Sequence, residues 1–293
     1  MNAQRPTRNQ ARELAREKAR EMRLAGSQRE KRKRIFVQLG LGITALAVIG
    51  ALTAVILTAF QPAGPGPMNM ASDGIKIGSG NVAVQTPARK SDQSPVASPA
   101  NKAGVVDITL YVDYLCPICG QFEAANTAAI SDLLARDAAT IEIHPIAILT
   151  NRSQGTQYSL RAANAAACVA NDYPNSFMDF HNALFANQPG EGTTGLTDEQ
   201  LIALAKAAGA GPKIDLCVTD QKFKDWVKAS TERSISGDIA INNKDKKFHG
   251  VTGTPTIVIN GKQFNPSYDP TAASPFSTEE FLRAVVTAAG AQQ

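Results

Sequence analysis

Apolar and polar positions alternate along "VVDITLYV" (105–112), a β-branched run that reads as a strand. "DYLCPICGQFE" (113–123) follows at once, and "CGQFEAANTAAISDLLARDA" continues as an amphipathic helix. "TIEIHPIAIL" (140–149) is a second strand. Together they make a β–α–β unit, whose crossover is right-handed. From about 155 to 246 strand patterning is absent. Helices are expected at "SLRAANAAACVAND", "PNSFMDFHNALFANQ", "LTDEQLIALAKAAGA" and "TDQKFKDWVKASTERSISGDIAI". Thr197 with Glu199 and Gln200 has the form of a capping box. Strand character returns at "TPTIVINGKQF", where Asn260-Gly261 favours a tight type I′ turn. "STEEFLRAVVTAAG" (277–290) closes the pattern as a helix, with Ser277 as N-cap and Gly290 beyond its end. Upstream, "GIKIGSGNVAV" (74–84) predicts a hairpin, and 85–104 a polar loop.

One stretch breaks this globular pattern. Residues 35–60, "IFVQLGLGITALAVIGALTAVILTAF", carry no charge. As a helix the run would be roughly 39 Å long, ample for a hydrocarbon core of about 30 Å. "REKRKR" abuts its start, and the first charge beyond it is Asp73. Positive charge stays in the cytoplasm, so the expectation is a single span with the N-terminus inside and residues 61–293 outside. The long charged leader and long apolar run argue against a cleaved signal peptide. Four regions follow: a basic cytoplasmic tail (1–34), a transmembrane helix (35–60), a Pro/Gly-rich linker (61–72) and a domain (73–293) with a helical insertion at about 155–246.

Charge sharpens this division. The chain's net +4 is uneven: residues 1–34 hold 12 Lys/Arg against 4 Glu. The remaining 18 basic and 22 acidic residues leave the rest acidic, so nothing there argues for nucleic acid. The tail reads as a solvated topology signal.

Cys116 and Cys119 sit two residues apart. That spacing serves half a zinc site, a short crosslink or a working redox pair, and local sequence does not choose among them. The element order β–α–β, helical block, β-hairpin–α is a thioredoxin-like order with helices inserted in its middle. With "DYLCPICGQFE" after a strand and "GVTGTPTIVINGKQF" leading into a terminal helix, the chain resembles the DsbA-like thiol–disulfide oxidoreductases of bacterial envelopes, over roughly residues 72–290.

Thiol exchange needs a thiolate at working pH and a second thiol to resolve the mixed disulfide. A helix N-terminus stabilises negative charge and lowers a thiol pKa. Cys116, at the strand-to-helix junction, is therefore the expected nucleophile. Pro117 suits the first helical position, and Cys119, one turn deeper, is the expected resolving thiol. Zinc would want four ligands; Cys168 and Cys217 are isolated, and His144, His181 and His249 lack ligand spacing, so no metal is expected. A crosslink closing so short a loop restrains little.

The resemblance implies that Thr254-Pro255 is a cis-proline element facing the nucleophilic sulfur, its backbone receiving a client chain as an added strand. It implies no dissociable cofactor, reduced exported proteins as substrates and a quinone-linked membrane protein as reoxidant. Two departures stand out. Ile118 occupies the position where the strongest envelope oxidases carry histidine, removing one source of thiolate stabilisation. Leu110 occupies a position that often holds a buried carboxylate, leaving the nearer Asp113 to assist proton transfer or simply to end the strand. Cys168 and Cys217 fall in the helical block of an exported domain, where disulfides are permitted, and are expected to bond to each other; two separate buried thiols are the alternative. The function expected is oxidation of exported proteins through the CPIC pair. A reductase or isomerase on the same scaffold, and a chaperone-like peptide-binding module, are the alternatives.

Overall fold

The computed structural model describes residues 64–291 apart from 243, 244, 246 and 247. The expected tail and span, with residues 61–63, lie outside the described residues. Among the described residues no helix is long and apolar enough to cross a membrane.

Five strands form one mixed sheet: β1 Ile75–Ile77, β2 Val106–Val112, β3 Ala139–Pro145, β4 Thr256–Ile259 and β5 Lys262–Phe264. Their spatial order is β1-β3-β2-β4-β5. β2 and β3 run parallel, joined by helix α1 (Pro117–Ala135), and every other pairing is antiparallel. A helical block intervenes between β3 and β4: α2 Tyr158–Asp172, α3 Phe177–Ala186, α4 Asp198–Ala207, α5 Lys213–Thr219 and α6 Lys224–Ser236. α7 (Thr278–Gly290) ends the fold. This is a mixed α/β, thioredoxin-like architecture with helices inserted in its middle.

Register explains the layering. Ile108 pairs with Ile141 and Ile259, and Leu110 with Ile143 and Ile257, so these side chains share one face of the sheet. That face is buried in a core with Phe122, Ile130, Leu133 and Leu134 of α1 and Phe281 and Val285 of α7. The alternate positions place Asp107, Thr109 and Tyr111 beside Thr140, Glu142 and His144 on the other face. Most of them are buried too. Their cover includes segment 64–104: Ser98 Oγ donates to Glu142 Oε1 at 2.8 Å, Ser72 Oγ also reaches Glu142, and Asn101 Nδ2 donates to Thr140 Oγ1 at 2.8 Å. The stretch expected as linker is thus built into the domain from Gly66 onward, with Met70 in the core and Asn69 Nδ2 on the Ala170 carbonyl at 2.8 Å.

Several boundaries differ from expectation for local reasons. β3 stops at Pro145 rather than running to 149: Ile146 N donates the last ladder bond to Val112 O, and Leu149 N donates to Asp113 Oδ2 instead of to a strand. The hairpin at 74–84 has one true strand; its return leg is a single bridge, Ile77 to Ala83. The helix expected at 219–241 is confined to Lys224–Ser236 and stops at Gly237 (φ 89°), whose left-handed backbone caps it. α5 is a separate short helix. α7 includes Gly290 and is capped by Ala291. The capping box on α4 forms with Gln200 at N3, and Asn260 (φ 46°) and Gly261 (φ 74°) both adopt positive φ in the β4–β5 turn.

Candidate active site

Strand β2 ends on the buried face of the domain, and a tight turn delivers the chain to α1. Asp113 shapes that turn. Its backbone carbonyl accepts Cys116 N at 2.9 Å, and its carboxylate accepts Leu115 N at 2.9 Å, Leu149 N at 2.8 Å and Ser159 Oγ at 2.7 Å. Burial pushes the Asp113 carboxyl up, while these donors pull the other way. Its carboxylate holds the Leu115 and Leu149 backbone and the Ser159 hydroxyl, so what that carboxylate visibly does is brace the loop, while the Asp113 backbone reaches the Cys119 sulfur.

Cys116 is the N-cap of α1, with extended backbone, and Pro117 takes the first helical position. The Cys116 Sγ accepts the Cys119 N–H at 3.4 Å and lies 3.3 Å from the Thr254 carbonyl oxygen. The peptide from Thr254 to Pro255 is cis. Cys116, Pro117, Cys119, Thr254 and Pro255 therefore meet at one point, where α1 begins and β4 is about to start. Ile118 is 39% exposed beside them, an apolar surface at the mouth of the site.

The two thiols are chemically unlike. Cys116 is pulled down from 9.0 to about 6: the Cys119 thiol is the main cause, burial opposes it, and Thr254 and the N–H groups of Cys119 and Ile118 add to the lowering. Cys119 has no exposed surface, and burial, then the neighbouring Cys116, pushes it well above its ordinary value. Both are free thiols. One sulfur is thus suited to attack and leave as a thiolate; the other is a shielded thiol one turn along the same helix. The chemistry this permits is thiol–disulfide exchange.

Cys168 and Cys217 are not part of this cluster. They are bonded to each other, with 5.9 Å between their Cα atoms, and tie α2 to α5 within the helical block. Among the described residues, groups of three or more His, Cys, Asp or Glu able to hold a metal are absent. His144 is buried on the sheet's polar face and His249 is exposed.

His181 does more than the sequence suggested. From α3 it links Tyr114 OH (3.2 Å from Nδ1) to Glu123 Oε1 (3.1 Å from Nε2), all three side chains being buried. Tyr114 lies two residues before Cys116 and Glu123 one turn after Cys119. The helical block is thereby wired to both sides of the cysteine pair. The signal for Glu123 was its place four residues beyond Cys119, on the same helical face; nothing local marked His181.

The family described as thioredoxin matches residues 100–276. Among solved structures, oxidised DsbA of Mycobacterium tuberculosis is 26% identical, with a TM-score of 0.53 over 74% of this chain and 93% of that one. Reduced DsbG of the same organism, a disulfide bond oxidoreductase, is also 26% identical, with a TM-score of 0.54 over 75% of this chain and 89% of its own. A curated relative, the serine/threonine-protein kinase PknE of M. tuberculosis, is 33% identical over 116 residues, which is 38% of this chain. The chain spans about a fifth (20%) of the length of that relative.

Proposed function

The chain belongs to the thioredoxin family, and we propose that it acts as a DsbA-like protein thiol–disulfide oxidoreductase that donates its Cys116–Cys119 disulfide to exported proteins. The observation that carries this is the asymmetry of the pair: a capped, acidified Cys116 at the mouth and a buried, basic Cys119 behind it. A client thiolate attacks Cys116 Sγ of the oxidised protein, forming a mixed disulfide and releasing the electron pair to Cys119, which takes up a proton. A second client thiolate then attacks the client sulfur of that bond. The client leaves with a disulfide, and Cys116 leaves as the thiolate its site favours. Two electrons have entered the protein, and a quinone-linked membrane protein is the proposed acceptor that removes them.

Replacing Cys119 by Ser should leave Cys116 able to attack oxidised clients but unable to be released. Mixed disulfides should accumulate in Cys119→Ser and be absent in Cys116→Ser; the opposite pattern would invert the roles. The apolar run 35–60 and its basic flank support a single span with the site outside the cell membrane. A membrane-impermeant thiol reagent should then label reduced Cys116 in intact cells. Labelling confined to lysed cells would overturn that placement.

A further inference from the structure

The backbone leading into α1 is held by a side chain from the helical block. Gln188, just past the end of α3, donates from Nε2 to the Cys116 carbonyl at 2.9 Å and to the Tyr114 carbonyl at 3.2 Å. The Cys116 carbonyl also accepts the Gly120 N–H at 3.2 Å, a turn of α1. One amide therefore grips the carbonyls of the residues on either side of Leu115, one of them the residue whose sulfur does the chemistry.

Gln188 reaches this position because residue 120 has no side chain. A Cβ at Gly120 would stand 2.2 Å from Gln188 Oε1, far inside contact distance. The backbone of Gly120 is ordinary α-helix and makes no demand for glycine. Alanine there would favour the helix by about 1 kcal/mol. What glycine supplies at this position is room for the amide.

We propose that Gln188 is a positioning residue for thiol–disulfide exchange, admitted by Gly120, which clamps residues 114–116 so that Cys116 Sγ stays on the Cys119 N–H. That contact is a single N–H to sulfur bond of 3.4 Å, and a rotation about the Cys116 backbone removes it. The inference rests on the oxidoreductase reading above, and it names the part of the helical block that tunes the nucleophile.

The test is the pH profile of Cys116 alkylation by iodoacetamide in the reduced full-length protein, since only the thiolate reacts. Loss of the clamp should move the midpoint upward, slowing alkylation on the acid side by about threefold, as half a pKa unit requires. Gln188→Ala should show this, and Gln188→Glu, which keeps the size but loses the donor, should show it as well. Gly120→Ala should copy the shift with an unchanged or higher melting temperature. If Gln188→Ala fails to fold, Gly120→Ala carries the test. The double variant should be no slower than either single one, because both remove the same clamp. An unmoved profile in the folded variants would overturn the proposal, as would a Gly120→Ala effect that adds in full to that of Gln188→Ala. The profile reads the sulfur alone. A shifted profile in a protein that oxidises no client would count against the functional reading instead.

Discussion

On one face of the sheet Ile108, Leu110 and Val112 meet Ile141, Ile143, Ile257 and Ile259, in one core with residues of α1 and α7. On the other face Lys76 pairs with Asp107 at 3.1 Å, Glu142 takes the hydroxyls of Ser72 and Ser98, and Tyr111 stacks on His144 at 4.3 Å. Both faces are dry, but they are held by different physics. The first gains from apolar area removed from water, which is non-directional and roughly indifferent to which aliphatic residue supplies it. The second carries buried polar groups, tolerable mainly where a particular partner meets them, as at Lys76, Asp107 and Glu142; the Tyr111 hydroxyl and the His144 ring nitrogens are buried without a hydrogen-bond partner, and their rings stack instead. Helix α1, with the cysteine pair at its start, rests on the tolerant face. The N-terminal segment is fastened by the exacting one, and α6 joins it there through Arg233, which grips Asp73 with two bonds of 2.7 and 2.8 Å and the Ser91 carbonyl with a third.

The largest expected effect comes from breaking that grip. Arg233→Ala leaves the Asp73 carboxylate nearly buried and unpaired, and should cost about 3–5 kcal/mol in denaturant unfolding. Arg233→Met combined with Asp73→Leu should recover most of the loss, since removing both charges also removes the desolvation cost. On the opposite face Leu110→Met should cost less than about 1.5 kcal/mol. A loss below about 1 kcal/mol for Arg233→Ala would mean the pair behaves as a surface ion pair, and the contrast between the faces would fall.

A smaller effect separates the faces by pH. Burial holds His144 down to about 4, whereas in the unfolded chain it titrates near 6.5. A group whose folded pKa is depressed contributes stability that is complete above its unfolded pKa and lost as pH falls through the folded one. The fold should therefore weaken as pH drops from about 6.5 toward 4. Glu142, pushed up by burial, works in the opposite sense above its ordinary carboxylate range, and Asp73 and Asp107 favour the charged imidazole. His144→Gln should flatten the slope between pH 6.5 and 5, measured by urea midpoints, while Leu110→Met should shift the curve without bending it. A slope that survives in His144→Gln would assign it elsewhere.

The same contrast explains what could be read from the chain. "VVDITLYV" and "TPTIVINGKQF" reveal strands because alternation is a local signal. Ser277, Thr197 and Asn260-Gly261 reveal caps and a turn because their physics spans only a few residues. Cys116 and Pro117 reveal a helix start with a thiol at its N-cap for the same reason. Alternation does not say whether the polar side is wet or covered, however. Segment 85–104 is the loop it reads as, but that it covers the sheet, with Ser98 on Glu142 and Asn101 on Thr140, is not legible locally. Asp73 and Arg233 are 160 residues apart, and Tyr114 and His181 67, so no sequence window contains either contact. α5, with seven residues, is too short to show a helical period. Asp113 was visible as a nearby carboxylate, but its Ser159 partner was not.

The direction of electron flow is the central claim. A stabilised Cys116 thiolate stabilises the dithiol form over the disulfide, which makes a protein an oxidant. Ile118 adds no charge or hydrogen bond, so the effect should be intermediate. Equilibrating the full-length protein with glutathione buffers at pH 7 measures it directly. The predicted midpoint lies above thioredoxin's, about −270 mV, and below the extreme of about −120 mV. A midpoint at or below about −270 mV would contradict the oxidase account and make the protein a reductase.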